Sequence, residues 1–326
     1  MTKAGIKVLL TGGAGFIGSH ILEKLLQNHQ IIEIRVLDNL ETGTIDNIST
    51  LITNPIVQFI EGDIRNYDLC LDICSGIDVV CHQAALGSVP RSIKDPLSTF
   101  NTNVSGFSNM LTAAVESGVP RFVYASSSSV YGDLVESPKK EHKTGSVLSP
   151  YASSKRMNEI MAEGFSAAYG VETIGFRYFN VFGSRQNPTG PYAAVIPLFI
   201  NAALGNTSPV INGDGSISRD FTPVESVVFM NEMAIMGNNN SQKLSSVYNV
   251  ACGKTTSLNE LWQLIREVTK CTQPPIYGPN RKGDILFSLA DITNSVADFK
   301  FVPPNNLLPF LAKTIEYYQS NLSRVS

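Results

Sequence analysis

The chain has 326 residues, 43% hydrophobic and 16% charged, with a formal net charge of −3. That size and apolar content provide for a large buried core, in one big α/β domain or two lobes. The slightly acidic balance offers no basic surface to nucleic acid, no apolar run is long enough to span a bilayer, and the first residues lead straight into a strand-like segment without a secretory-leader pattern.

In chain order, residues 7–10, 34–37, 57–60, 79–82, 121–125 and 173–177 are short β-branched and apolar runs. Their unbroken hydrophobic character suits parallel strands buried on both faces. Helical periodicity fills 16–26, 96–117 and 151–169 between them. The βαβ rhythm predicts an α/β fold with a Rossmann-like, doubly wound parallel sheet. After about residue 180 the rhythm loosens. Residues 182–191 are rich in Gly, Asn and Pro, and 212–215 read as a tight turn able to close a hairpin. Residues 258–269 and 307–321 read as helices, the first capped by Ser257 with Glu260 three residues on. Residues 237–242 read as a polar surface loop. We therefore expect a dinucleotide-binding domain over 1–180, to which roughly 220–250 returns, and a smaller α/β substrate lobe interleaved with it over 181–326. Five cysteines (Cys70, Cys74, Cys81, Cys252, Cys271) without a CxxC pair and four scattered histidines argue for reduced thiols in a cytoplasmic protein and against a metal site.

Residues 8–18 join a strand, a glycine turn and a helix start. Gly12, Gly13, Gly15 and Gly18 allow the tight turn and let backbone N–H groups approach a pyrophosphate. Asp38 ends the second run about 20 residues after the last glycine, where an acid can bind an adenosine ribose 2′-hydroxyl. An acid there repels a 2′-phosphate, which favours NAD over NADP. Asp63 and Ile64, after the third run, are placed either to reach the adenine edge or to be plain loop residues.

Ser126–Ser129 close the fifth run at the sheet's carboxyl edge, where a hydroxyl can hold a substrate oxygen. Tyr151 and Lys155, four apart, share one helix face, and an ammonium there can favour a phenolate. A Y-x-x-x-K pair alone is better read as a solvated helix face; after the glycine turn and the serine run it points to hydride chemistry on a nicotinamide.

These segments, with Asp63-Ile64-Arg65, His82-Gln83-Ala84-Ala85, Ser149-Pro150-Tyr151, Arg177-Tyr178-Phe179-Asn180 and residues 213–221, resemble the extended short-chain dehydrogenase/reductase family over nearly the whole chain. The resemblance is to its nucleotide-sugar epimerase branch, and within that to bacterial UDP-N-acetylglucosamine 4-epimerases. It implies that Tyr151, as phenolate, takes the proton from the sugar 4-OH. Lys155 holds the cofactor ribose and depresses the Tyr151 pKa, and Ser127 bonds O4, with Ser128 next in line. It implies cofactor contacts from Phe16, Ile17, Asn39, Gly43, Gln83, Ala84, Ala85 and Tyr178, beside Gly12, Gly15, Gly18, Asp38, Asp63 and Ile64. For a UDP-sugar it implies Gly87, Ser88, Asn180, Arg219, Arg281, Asp284 and Ser288; a surface ion pair is the lesser rival reading of Arg281 and Asp284. Serine rather than tyrosine at 288 leaves room for a 2-acetamido group. Family dehydratases carry Thr-Asp-Glu where this chain has Ser127, Ser128 and Ser129, and related decarboxylases carry glutamate at 129, so carboxylates for those reactions are missing. Glu225 replaces the family's aspartate after an unusual Pro223 and is expected to act as a helix-start acceptor. Two other readings are a 4-epimerase of UDP-hexuronates or UDP-N-acetylhexosaminuronates, with Arg91 and Arg185 to hold a carboxylate, and a non-catalytic NAD sensor. The resemblance also implies a homodimer through a four-helix bundle made by 96–117 and 151–169.

Overall fold

The computed structural model describes residues 5–188, 194–237, 245–279 and 287–325. The apolar runs of the first half are strands, each within three residues of its expected bounds. In order they and their helices are β1 (Ile6–Thr11), α1 (Phe16–Leu25), β2 (Ile31–Asp38), β3 (Val57–Glu61), α2 (Tyr67–Cys74), β4 (Val79–His82), α3 (Val89–Lys94), α4 (Pro96–Phe100), α5 (Phe107–Glu116), β5 (Arg121–Ser127), α6 (Pro150–Tyr169) and β6 (Glu172–Tyr178). There follow β7 (Val181–Phe182), α7 (Val195–Leu204), β8 (Val210–Asn212), β9 (Ser218–Arg219), β10 (Thr222–Pro223), α8 (Val224–Ile235) and β11 (Ser245–Val250). The chain ends with β12 (Thr256–Ser257), α9 (Leu258–Thr269), β13 (Ile276–Gly278), β14 (Phe287–Ser288), α10 (Thr293–Phe299) and α11 (Leu308–Val325).

Among the described residues, seven strands form one sheet in the order β11-β6-β5-β4-β1-β2-β3. Every pairing in it is parallel. One face is covered by α1 and α8 around Val8, Leu10, Leu22, Val36 and Val227, the other by α2 and α5 around Leu9, Val80, Phe107, Leu111 and Phe122. Burial on both faces explains the apolar runs of β1, β4 and β5, whereas β2 and β3, towards the sheet edge, carry Glu33, Arg35 and Gln58 outside the core. The chain builds β1, β2 and β3 outward and then returns to place β4 on the other side of β1. The crevice above the carboxyl ends of β1 and β4 is thus the switch point of the sheet, where such folds bind ligands.

The long helix expected over 96–117 is interrupted. Residues Asn101–Gly106 form a π-turn between α4 and α5. The wider turn lets the buried Asn103 side chain bond the backbone of Leu86 and the Ser154 hydroxyl. The turn at 212–215 is present, with Gly213 and Gly215 at positive φ, but it closes no hairpin. β8 pairs in parallel with β13, while β9 lies between β12 and β14. Those partners come from later in the chain, which a local turn signal does not reveal.

The second cluster of elements packs Phe182, Phe199, Ile200, Trp262, Ile265, Leu311 and Ile315 into a core of its own. Ser257 and Glu260 make the expected capping box on α9. The five cysteines are buried free thiols, and residues 238–242 of the polar stretch lie outside the described residues. No helix among the described residues is long and apolar enough to cross a membrane.

Candidate active site

The turn after β1 is built from glycines because nothing larger fits. Gly12 has φ +70°, and a Cβ there would stand 2.6 Å from the Ala84 nitrogen. A Cβ on Gly18 would run into the Gly12 carbonyl, so α1 could not lie against the turn. Gly15 caps α1 without a side-chain hydrogen bond, leaving the first helical N–H groups to the crevice. Asp38, buried at the end of β2, accepts from Ala14 N at 2.9 Å and from Leu40 N at 2.8 Å. Each carboxylate oxygen keeps a lone pair for a further donor.

A groove runs from this turn across the sheet edge. Gly12, Gly15, Phe16, Ile17, Gly18, Asp38, Asn39, Ile64, Gln83, Ala84, Ala85, Tyr151, Lys155 and Tyr178 line it. Two residues expected there do not. Gly43 lines the adjoining cavity with Gly15, Phe16 and Gly87, and a Cβ there would press on Ala14. The Asp63 carboxylate is held by Arg65 and by Asn39 Nδ2 at 2.8 Å, and the Arg65 hydrogen bond takes its pKa down to about 2. An anion-receptive helix end, a ribose-height acid and a flat bed of Ala84 and Ala85 fit a dinucleotide. Tyr178 is oriented from beneath: its hydroxyl donates to Gln83 Oε1 at 3.0 Å and accepts from Asn231 Nδ2 at 2.8 Å.

The reactive side chains meet at the wall of the groove. Ser149 starts α6 by accepting from Ala152 N, and Pro150 occupies the first turn. Tyr151 and Lys155 then share the face turned to β5. Burial pushes the Tyr151 hydroxyl above its ordinary pKa, and a side-chain hydrogen bond with Ser127 works in the opposite direction. Lys155 stands one turn further along the same face. Its ammonium is turned to the Ala125 carbonyl at 2.9 Å, and burial takes its own pKa down to about 8 against the charge of Glu159. Ser127 is buried, and its hydroxyl also accepts from Ser129 N at 3.1 Å.

Behind this wall lies a charged pair to which no role is given in the sequence reading. Glu159, one turn beyond Lys155, is buried and accepts from Arg177 Nε and Nη2, both at 2.8 Å. It also accepts from the Ser126 hydroxyl at 2.7 Å and from Arg156 Nη1 at 3.0 Å. Burial works to raise the Glu159 pKa, but Arg177 overrides it and holds the carboxyl ionised. Lys155 and Glu159 thus grip consecutive residues of β5, Ala125 by its carbonyl and Ser126 by its hydroxyl, next to Ser127. The continued four-residue spacing after Lys155 is a signal that could have found Glu159. Asn103 and Asn231 carry no such signal. His82 is buried between Phe107 and Phe122; its Nδ1 lies 2.9 Å from the Thr11 hydroxyl, and burial with the Lys155 charge takes its pKa down to about 3.

Gly87 and Ser88 lie at the groove's mouth, Ser88 with φ +112° as the cap of α3. Arg219 and Ser288 are paired neighbours on β9 and β14. Asn180 stands close by, its amide donating to the Asp220 carbonyl at 3.1 Å. Arg281 and Asp284 lie outside the described residues. Arg91 and Arg185 line one cavity with Gly87 and Ser88, and Arg185 is ion-paired to Glu23 at 2.7 Å. Glu225 lies in the first turn of α8, but its carboxylate bonds Lys313 rather than the helix backbone. Among the described residues, no group of His, Cys, Asp and Glu is arranged to hold a metal ion.

Comparison with known proteins agrees with this geometry. The model of the NAD dependent epimerase/dehydratase family matches residues 8–251. A putative UDP-glucose 4-epimerase from Methanocaldococcus jannaschii is 36% identical over 96% of this chain and 99% of its own. A solved UDP-N-acetylglucosamine 4-epimerase from Methanobrevibacter ruminantium, in complex with UDP-N-acetylmuramic acid, superposes with TM-score 0.91 at 35% identity, covering 98% of this chain and 100% of that one. The Thermus thermophilus UDP-glucose 4-epimerase complex with NAD has TM-score 0.84 at 30% identity, covering 96% and 99%.

Proposed function

Because this chain belongs to the NAD-dependent epimerase/dehydratase family and is therefore an NAD-using enzyme, we propose that it inverts C4 of UDP-sugars, interconverting UDP-GlcNAc and UDP-GalNAc. The observation that carries the chemistry is the convergence of Tyr151, Ser127 and Lys155 beside the groove that begins at the glycine turn and Asp38. Bound NAD supplies a hydride acceptor that returns what it takes, so none is consumed. Tyr151 accepts the proton of the sugar 4-OH and gives it back. Ser127 holds O4 and, through its hydrogen bond, favours the ionised tyrosine. Lys155 adds positive charge at the base of the same wall and a donor for the cofactor ribose. Asp38 bonds the adenosine ribose, and the α1 N-terminus faces the pyrophosphate. The serines at 127, 128 and 129 provide no acid or base for elimination at C5 and C6, which supports epimerisation over dehydration.

The substrate assignment rests on Ser288. It is half-buried and paired with Arg219, and the family resemblance makes this the position where a small hydroxymethyl leaves room that a bulky side chain would take from the sugar. In this reading residues 1–180, with 220–250, hold NAD, and 181–326 hold the UDP-sugar through Arg219, Arg281, Asp284 and Ser288, joined by Asn180, Gly87 and Ser88 from the first domain. Purified protein incubated with UDP-GlcNAc and no added NAD is expected to yield UDP-GalNAc. No conversion even with NAD supplied overturns the reading. A UDP-hexuronate is the second reading, because Arg91 and Arg185 share a cavity at the groove mouth. The ion pair of Arg185 with Glu23 places it second, and competition between UDP-GlcNAc and UDP-glucuronate separates the two. We also propose a homodimer. α4 and α5 pack on α6 and leave Leu97, Met157 and Ile160 exposed, a surface that a second copy can cover; light scattering tests it.

A further inference from the structure

Three segments far apart in sequence carry the described substrate-site residues Asn180, Arg219 and Ser288, and they meet at one buried residue. Asp220 follows Arg219 directly and is fully buried. Its main chain donates N–H to the Ser288 carbonyl at 2.9 Å and accepts from Asn180 Nδ2 at 3.1 Å. Its carboxylate accepts from Cys252 N at 2.8 Å, Gly253 N at 2.9 Å and Ala290 N at 3.4 Å. These carboxylate partners are backbone amides from two loops rather than a cation. We propose that Asp220 is the positioning residue of the sugar-size gate, holding the strand of Ser288 at a set distance from Arg219; this rests on the reading of Ser288 given above.

The chemistry of the side chain suits that task. Two oxygens without a donor can take N–H groups from both loops at once, whereas an amide would turn an N–H towards another N–H. β14 is only two residues long, so its own ladder with β9 holds it weakly. The strand after it is fixed on the far side by Lys139, whose N–H donates to Leu289 O at 2.8 Å and whose carbonyl accepts from Asp291 N at 2.9 Å. Asp220 is the clamp on the near side. Burial takes its pKa up to about 7, the mark of a carboxylate held without a charged partner. The arrangement includes none of Ser127, Tyr151 and Lys155, so its effect belongs in substrate discrimination.

The experiment is a cycle of wild type, Ser288→Tyr, Asp220→Asn and the double variant, each assayed for kcat/KM on UDP-GlcNAc and on UDP-glucose. Asp220→Asn is expected to lower the UDP-GlcNAc to UDP-glucose ratio roughly tenfold through KM, with kcat little changed. In the Ser288→Tyr background it is expected to have no further effect on the ratio. If Ser288→Tyr shifts the ratio and Asp220→Asn does not, the proposal fails and the gate stands. An equal loss of kcat on both sugars marks a merely structural residue and also overturns it. If Ser288→Tyr leaves the ratio unchanged, the gate and the proposal fall together. Should Asp220→Asn lack bound NAD or a cooperative melt, Asp220→Glu carries the same test. It keeps both oxygens but displaces the 288–290 strand by a methylene, and the same fall in the ratio is expected.

Discussion

Glu159→Gln is the most informative single change outside the reacting groups. The wild-type carboxylate takes four hydrogen bonds, two of them from Arg177, in a site where Glu159 is 3% and Arg177 2% exposed. Glutamine keeps one acceptor oxygen, turns an N–H₂ towards the guanidinium and removes the countercharge. Arg177 cannot swing into water, because it also donates to Glu141 O at 3.0 Å and stacks 4.7 Å from the Tyr131 ring centre. Breaking a buried pair by removing one partner costs about 3–5 kcal/mol. Against a total stability of about 5–15 kcal/mol that is a large share, and the midpoint of thermal unfolding should fall by roughly 4–7 °C. The paired variant Glu159→Met with Arg177→Met removes both charges and should recover much of that stability. It should not recover turnover, since the Ser126 hydroxyl has lost its acceptor and Lys155 its nearest anion. Urea denaturation followed by circular dichroism, with turnover of UDP-GlcNAc, measures both. A Glu159→Gln protein within about 1 kcal/mol of wild type, or a double variant less stable than the single one, would refute the reasoning.

Tyr151→Phe and Ser127→Ala should each lower turnover by about 10²–10⁴ while the purified protein keeps its NAD, read from its absorbance; an active Tyr151→Phe enzyme would remove the proposed acid/base step. Gly18→Ala forces backbone against backbone at the Gly12 carbonyl, costing about 1–3 kcal/mol, and the protein should purify without NAD; full cofactor content counts against the packing argument. Lys155, taken down to about 8 from 10.5, binds fewer protons in the folded than in the unfolded chain between those pH values, so its share of stability rises as pH climbs through that window. In protein stripped of NAD, wild type should therefore gain about 3 kcal/mol on Lys155→Met between about pH 7 and pH 10.5, and a gap independent of pH contradicts it.

The sequence by itself determined six of the sheet's seven strands, because buried parallel strands are written as largely apolar runs, and β1 to β6 stand where those runs lie; β11 was placed by its pairing with β6. It also determined the glycine turn, Asp38 and the Tyr151–Lys155 face, since these depend on local geometry and fixed spacing. The π-turn at Asn103 and the missing hairpin at 212–215 were decided elsewhere, by Leu86 and Ser154 in one case and by β13 and β14 in the other. The same holds for the charges. Which group lowers Tyr151, where the Asp63 carboxylate turns and why Glu159 stays ionised depend on burial and on partners brought together by the fold. Asp220 illustrates the division best: its place after Arg219 is plain in the chain, but its hold on the amides at 252, 253 and 290 exists only once the loops have met. Local pattern sets which elements form, because backbone preference and periodicity act over a few residues. Desolvation and hydrogen-bond satisfaction act through space, so the electrostatics of the site had to wait for the fold.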